Sequence, residues 1–426
     1  MQQSTYRELV QKNIAKDEAL ALLQAAVGIP SVTGTELAFA QFVAEQMQAL
    51  GAAQVHVDEC LPGRANARGV ILGTEGDRKA GAAPHNLMVL GHLDTVHVRG
   101  WQEHWAGTER ESPFAAPIID GCVWGRGTAD LKGGICAALA AVATLRRAGL
   151  RLKGDVVFVF PCDEESGEVG SGVSAGIKDA LPHIAPAGTP RADFAIYVEP
   201  TQNQVYVAQM GFFIAEITLV GKSAYFGVPE QGIDALRAAH EALSGLWAHS
   251  DALGQAASHP LLGKAFLLVT ELKGGGYIAV PEKCEISLIR KLLPGDDLDQ
   301  ARQELEAAVR GAIRDERIAV SFHYPAGRDH AIGGTPVETD MGHRGVHVLS
   351  SAAAQAMAGK GKLEGAPYWS EAPFTTQLGI PTVYFAPGDI ATAHTLHECV
   401  PVNEYLAAIE TFAMTMVEFC GVAEGA

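Results

Sequence analysis

Residues 86–96 read NLMVLGHLDTV, an apolar run that stops abruptly at Gly-His-Leu-Asp. A short apolar run bounded by turn formers is how a strand buried on both faces reads, and polar groups just past its carboxyl end fall where open α/β sheets gather ligands. The plan recurs in DVVFVFPCDEE (155–165) and FAIYVEP (194–200). Between them, KGGICAALAAVATLRRAGL (132–150) is an Ala-rich helical stretch suited to tight packing on a sheet. Strands alternating with helices indicate an α/β layer structure.

Working outward, the first 50 residues read as helices. Thr33 and Glu36 have the spacing of a capping box, Leu37, Phe39, Phe42, Val43, Met47 and Leu50 recur with helical period, and Gly51 is the stop. The style changes near residue 211. FFIAEITLV alternates like a one-sided strand, DALRAAHEALSGLWAHS is an amphipathic helix, AFLLVTELKGG and CEISLIRKLL are strands, DDLDQARQELEAAVRGAIRD is a second helix, and IAVSFHYP a last strand. That order is the signature of a ferredoxin-like module. After residue 328 the Gly/Pro-punctuated α/β style returns. The expected architecture is α/β: a three-layer domain with a mixed, mostly parallel sheet, from residues 1–210 and 328–426, plus an inserted α+β ferredoxin-like domain at 211–327.

Composition narrows the function. The 426 residues carry 32 Lys+Arg against 49 Asp+Glu, a net charge of −17, with no basic stripe of the kind that nucleic acid or anionic lipid requires. Neither is expected as a partner. Seven cysteines, at 60, 122, 136, 162, 284, 399 and 420, form no C-x-x-C pair, and the N-terminus lacks a basic segment followed by an apolar one. A reduced, cytoplasmic setting is expected.

The chemistry lies at the strand ends: His92 and Asp94, Asp130 in GRGTADLKGG, Glu164 and Glu165 in PCDEESG, Glu199 in VEPT, and His394 in AHTLHE. A lone Asp or His at a strand end is ordinarily a loop residue or a cap. Five segments repeating one placement argue instead for a shared metal site, and two imidazoles mixed with carboxylates suit one or two zinc, manganese or cobalt ions better than magnesium or calcium.

In this order, GHLDTV, GRGTADLKGG, the DEE triplet, VEPT and AHTLHE resemble the motifs of the acetylornithine deacetylase and succinyl-diaminopimelate desuccinylase family, co-catalytic zinc peptidases that include aminoacylases and bacterial carboxypeptidases. The resemblance covers nearly the whole chain. It implies that Asp130 bridges two metal ions, one completed by His92 and Glu199, the other by Glu165 and His394. Asp94 would orient the His92 imidazole, and Glu164 would be the general base that takes a proton from the attacking water and returns it to the leaving nitrogen. His97 and His104 lack motif positions, and His394 is preferred to His397 as the ligand. The family also implies that the domain of residues 1–210 and 328–426 is catalytic, that the module at 211–327 is a lid/dimerisation domain, and that the protein is a homodimer or higher homo-oligomer.

The inserted module departs from the family in three places. Tyr225 of GKSAYFG stands where family members commonly carry a histidine that stabilises the oxyanion, and a phenol cannot supply imidazolium charge. Ile278 of GGGYIAVPEK replaces an asparagine that contacts substrate. The arginine that grips the substrate carboxylate corresponds to Lys291 by strict spacing and to Arg290 by a one-residue shift; adjacent strand residues face opposite sides, and Arg290 is favoured for its planar fork.

The expected activity is therefore a metal-dependent hydrolase, deacylase- or aminopeptidase-like, cleaving a carbon–nitrogen bond in a small carboxylate-bearing molecule. Loss of His and Asn with gain of Tyr and Ile makes the pocket more apolar. That supports an alternative, an aminohydrolase replacing the amino group of an electron-poor aromatic amine such as 5-nitroanthranilate with hydroxide. A non-catalytic binding protein on the same fold is the third reading, opposed by the full complement of ligands and base.

Overall fold

A computed structural model describes residues 2–75, 85–165, 172–189, 191–256 and 258–423. The chain divides into two compact units, one of Met1–Val207, Thr339–Glu364 and Phe374–Ala426, the other of Ala208–Glu338 and Gly365–Pro373.

In the first unit the quoted apolar runs become the centre of a mixed sheet. Leu87–Leu90 lies between Val156–Phe160 and Phe194–Tyr197, parallel to both, and Thr382–Tyr384 continues the parallel block beside Phe194–Tyr197. Arg64–Ile71 and then Ala53–Leu61 extend the Val156–Phe160 edge in antiparallel fashion. All four residues of Leu87–Leu90 and all five of Val156–Phe160 are buried, which is why these strands read as continuous apolar runs instead of alternating. Helices Gly133–Arg147 and Val402–Cys420 pack together, and the latter also covers Arg344–Ala356. The Gly-Gly that opens Gly133–Arg147 is a packing requirement: a Cβ at Gly134 would stand 2.6 Å from the Val198 carbonyl oxygen. Only glycine lets that helix start so close to the strand end that carries Glu199.

The second unit holds a separate antiparallel sheet in the spatial order Phe266–Gly274, Lys283–Leu292, Gly211–Val220, Ala319–His323. Helices Ala235–Ala256 and Leu298–Ala312 cover one face, with Ile217, Leu219, Ile286, Leu288, Ala242, Leu246 and Leu305 in the core. The expected helices and strands are all present in this unit.

Two expectations are corrected. Residues 328–338, assigned to the catalytic domain, lie in the second unit together with 365–373. Gly333–Gly334 pairs with Phe212 and Phe213, the Trp369 indole donates to the Thr335 carbonyl at 3.2 Å, and the Gln209 amide exchanges hydrogen bonds with Ser370. These pairings are long-range, so local pattern does not disclose them. The capping box is also absent. Helix Leu37–Ala49 starts without a side-chain cap, and Thr33 and Glu36 are turned to other partners.

Candidate metal centre

The parallel strands deliver their polar residues to one end of the first unit. His92 follows Leu87–Leu90, Glu164 and Glu165 follow Val156–Phe160, and Glu199 follows Phe194–Tyr197. Asp130 arrives on the turn before helix Gly133–Arg147, through a cis Asp130–Leu131 peptide. His394 sits at φ 60° in the loop after Thr382–Tyr384.

Five of these side chains form two three-residue clusters that share Asp130. His92, Asp130 and Glu199 present ligand atoms within 4.8 Å of one another, and so do Asp130, Glu165 and His394. His92 Nε2 is 3.1 Å from Asp130 Oδ1 and 3.6 Å from Glu199 Oε1. His394 Nε2 is 3.2 Å from Asp130 Oδ2 and 3.0 Å from Glu165 Oε1. The two oxygens of Asp130 thus face different clusters. Every member is buried except His394, whose side chain is 55% exposed and forms the open side.

The electrostatics call for positive charge. Burial opposes ionisation of His92, yet Asp130 and Glu199 beside it outweigh that and hold its pKa well above the ordinary value. Contacts with Asp130 and then Glu165 push His394 up to about 11. Burial would raise Asp130, but the two imidazoles hold it well below the usual carboxylate range. Asp130 Oδ1 is buried and receives no well-aligned hydrogen bond, so an acceptor position stays open toward the cluster centre. Three carboxylates and two imidazoles around such an oxygen fit a pair of divalent cations, whose charge would replace the protons that the histidines hold without them.

Asp94 works differently from expectation. His92 Nδ1 is 2.9 Å from the main-chain carbonyl of Asp94, while the Asp94 carboxylate is 3.8 Å away. The carbonyl fixes the imidazole. The carboxylate instead accepts the backbone N–H of Glu164 at 3.2 Å and of Glu165 at 2.9 Å, with Thr33 Oγ1 donating at 3.1 Å. Burial raises the Asp94 carboxyl to about 7.

Glu398, Arg126, Arg64 and Glu36, which sequence reading had not assigned to the site, brace it together with Asp163 of the DEE triplet. Glu398, fully buried, accepts the backbone N–H groups of Ala129 and Asp130, both at 3.1 Å, and Arg126 pairs with its other oxygen. Arg64 bridges Glu36 and Asp163. Asp163 in turn accepts N–H groups of Gly172, Val173 and Ala175, tying down the segment beside Glu164 and Glu165. The only sequence signal was adjacency: Arg126 and Glu398 sit inside the motifs that supply Asp130 and His394.

His397 is not in either cluster. Its ring packs edge-on against Trp105 and His104, at centroid distances of 5.4 and 5.2 Å. His97 is likewise outside both clusters.

The substrate-binding candidates all lie in the second unit. Tyr225 bridges to Ala279, and the Phe226 N–H donates to the Ile278 carbonyl, so the GKSAYFG and GGGYIAV segments run side by side. Tyr225 is 61% exposed, packs against Phe226 with ring centroids 4.5 Å apart and planes tilted by 50°, and shares this surface with Ile278 and Tyr277. Arg290, favoured for its planar fork, lies on the packed side of its strand. Lys283–Leu292 alternates with Leu288, Arg290 and Leu292 on the helix-covered face, and Arg290 is only 2% exposed. Lys291 faces the other way, with Nζ donating to the Leu262 carbonyl at 2.5 Å.

The family model described as peptidase family M20/M25/M40 matches residues 88–418. An acetylornithine deacetylase from Myxococcus xanthus is 28% identical over 352 residues, spanning 80% of this chain and 82% of that one. The N-formyl-4-amino-5-aminomethyl-2-methylpyrimidine deformylase of Halalkalibacterium halodurans is 25% identical across 96% of both chains. Among solved structures, aminopeptidase PepT from Bacillus cereus superposes with a TM-score of 0.74 at 20% identity, covering 96% of this chain and 99% of its own.

Proposed function

The chain belongs to peptidase family M20/M25/M40, and from that premise we propose that it is an N-acyl amidohydrolase acting on a small carboxylate-bearing substrate. It is a metallohydrolase of carbon–nitrogen bonds, deacylase- or peptidase-like, with the dinuclear metal site typical of the family. The observation that carries the finer reading is the pair of clusters sharing Asp130, with Glu164 next to them but in neither.

Asp130 would hold both ions, His92 and Glu199 completing one set and Glu165 and His394 the other. Zinc, manganese or cobalt suits this donor mixture. When bound, such cations supply the charge that acidifies water and polarises an acyl carbonyl. Glu164 is half-buried, its backbone fixed by Asp94, and its carboxylate stays out of the ligand set. It would take a proton from the attacking water and deliver it to the departing nitrogen. Lys291, on the face of its strand opposite Arg290, is the candidate for the substrate carboxylate. The two relatives cited above remove, by their names, acetyl and formyl groups, which supports acyl-nitrogen cleavage over peptide trimming. A cytoplasmic homodimer formed through the lid is part of the same proposal.

A second reading is favoured by one observation. The exposed, tilted Tyr225–Phe226 ring pair beside Ile278 and Tyr277 offers rings and aliphatic surface where an oxyanion histidine is missing, which suits a flat aromatic amine such as 5-nitroanthranilate. Protein stripped by chelator and reloaded with zinc, manganese or cobalt, then assayed on N-acetyl and N-formyl amino acids, dipeptides and 5-nitroanthranilate, separates the readings. Chelator-sensitive release of free amine from the N-acyl compounds is expected. Turnover of the nitroaromatic amine alone would replace the first reading by the second, and inertness of the reloaded protein toward every compound would overturn both.

A further inference from the structure

The sulfurs of Cys60 and Cys162 stand 2.9 Å apart, inside van der Waals contact, although the two residues are 102 positions apart in the chain. Cys60 lies on the strand Ala53–Leu61 and is partly exposed; Cys162 is buried just past Val156–Phe160. The strand Arg64–Ile71 pairs with both of their strands and sets this approach. Cys162 is no isolated core residue. Its N–H is held by the Asn66 side chain at 3.0 Å, and it directly precedes Asp163, which anchors Arg64 and three backbone N–H groups, and then Glu164 and Glu165.

We propose that Cys60 and Cys162 form an oxidisable dithiol, which a hydroperoxide closes to a disulfide, and that closure reshapes the segment carrying Glu164 and Glu165. The accessible Cys60 sulfur attacks one peroxide oxygen, breaking the O–O bond to give Cys60 sulfenic acid and, with the thiol proton, one water from hydrogen peroxide. The Cys162 sulfur then attacks the Cys60 sulfur, its proton leaves with the sulfenic hydroxyl as a second water, and the S–S bond forms. Each sulfur loses one electron and the peroxide gains two. The Cys162 thiol, hydrogen-bonded to Cys60, lowers the Cys60 pKa below that of an ordinary thiol, which favours Cys60 as the attacking sulfur. A disulfide needs the sulfurs at about 2.05 Å with a Cβ–S–S–Cβ dihedral near 90°, so closure must pull Cys162, and with it the start of the Asp163–Glu165 segment, toward the Ala53–Leu61 strand.

The inference about the thiols is independent of the proposed substrate, and its test uses none. Purified, metal-free full-length protein is treated with hydrogen peroxide, desalted and digested without reductant, and Mn²⁺ binding is measured by electron paramagnetic resonance before and after. The expected result is a mass loss of two hydrogens, a peptide pair joining Cys60 to Cys162, and Mn²⁺ affinity weakened about tenfold, the scale on which groups supporting ligands act. Thiol reductant should restore it. Cys60→Ser and Cys60→Ala should bind Mn²⁺ like the unmodified protein and lose the response to peroxide. Sulfinic or sulfonic acid at Cys60 without the linked pair would overturn the proposal, as would a linked pair that leaves Mn²⁺ affinity unchanged. A failed hydrolase assay bears on neither result.

Discussion

The Asp94 carboxylate accepts the backbone N–H of Glu165 at 2.9 Å, while the imidazole two residues before Asp94 is held by its carbonyl and not by its carboxylate. This aspartate therefore shapes the loop that presents Glu164 and Glu165. Asp94→Asn places an amide donor in a site with two N–H donors and the Thr33 hydroxyl, so an acceptor is lost and the loop loosens. The expected outcome is metal affinity weakened by roughly 10–100-fold with the fold retained, measured by metal titration beside circular dichroism. Unchanged affinity would show that the carboxylate has no positioning role.

Glu164→Ala separates turnover from binding. Glu164 lies outside both clusters, so its removal should leave metal content near that of the unmodified protein while kcat falls by at least about 10²-fold, the lower end of what a positioned general base contributes. Metal analysis and steady-state kinetics on the same preparation decide it. A kcat within a few-fold of the unmodified enzyme would remove Glu164 from the base role.

Adjacent lid residues should respond oppositely to substitution. Arg290 packs among Leu288, Leu292 and the helices of the lid, and Arg290→Ala should lower stability by on the order of 2–3 kcal/mol, read as a fall in Tm. Lys291→Ala should leave Tm almost unchanged and raise KM for a carboxylate-bearing substrate more than it lowers kcat, the pattern of lost uniform binding. The reverse pattern would return the carboxylate contact to Arg290.

These pairs also show where the sequence is legible. Three central strands, Leu87–Leu90, Val156–Phe160 and Phe194–Tyr197, and the positions His92, Glu165 and Glu199 beyond them follow from apolar runs ending in acid or imidazole, because a strand buried on both faces and a polar turn beyond it are both local signals. Thr33 and Glu36 have capping-box spacing, yet Thr33 is engaged by Asp94 and Glu36 by Arg64. Their partners stand 61 and 28 residues away, and no local pattern encodes such pairings. Residues 365–373 join the second unit for the same reason. Arg290 and Lys291 are a different case: the alternation was readable, and counting buried positions along CEISLIRKLL would have put Arg290 inside.

Metal binding should be coupled to proton release, with a definite sign. Without metal, Asp130 with Glu199, and Asp130 with Glu165, hold His92 well above its ordinary pKa and His394 up to about 11. These shifts favour the protonated imidazoles in the metal-free protein, and an imidazole nitrogen that ligates a metal must give its proton up. Their raised pKa also stabilises the metal-free fold: the contribution is fully present below the unfolded histidine value of about 6.5 and is lost as pH rises through the folded value. Metal competes with exactly that protonation, so affinity should climb as pH rises and fall as it drops. Calorimetric titration of zinc or manganese at pH 7, in buffers of different ionisation enthalpy, should report about two protons released when both ions bind. For His394→Ala the release should drop by about one. Affinity independent of pH between 6 and 8, with no proton release, would mean that the imidazoles are already neutral and that the carboxylates around Asp130 do not govern them.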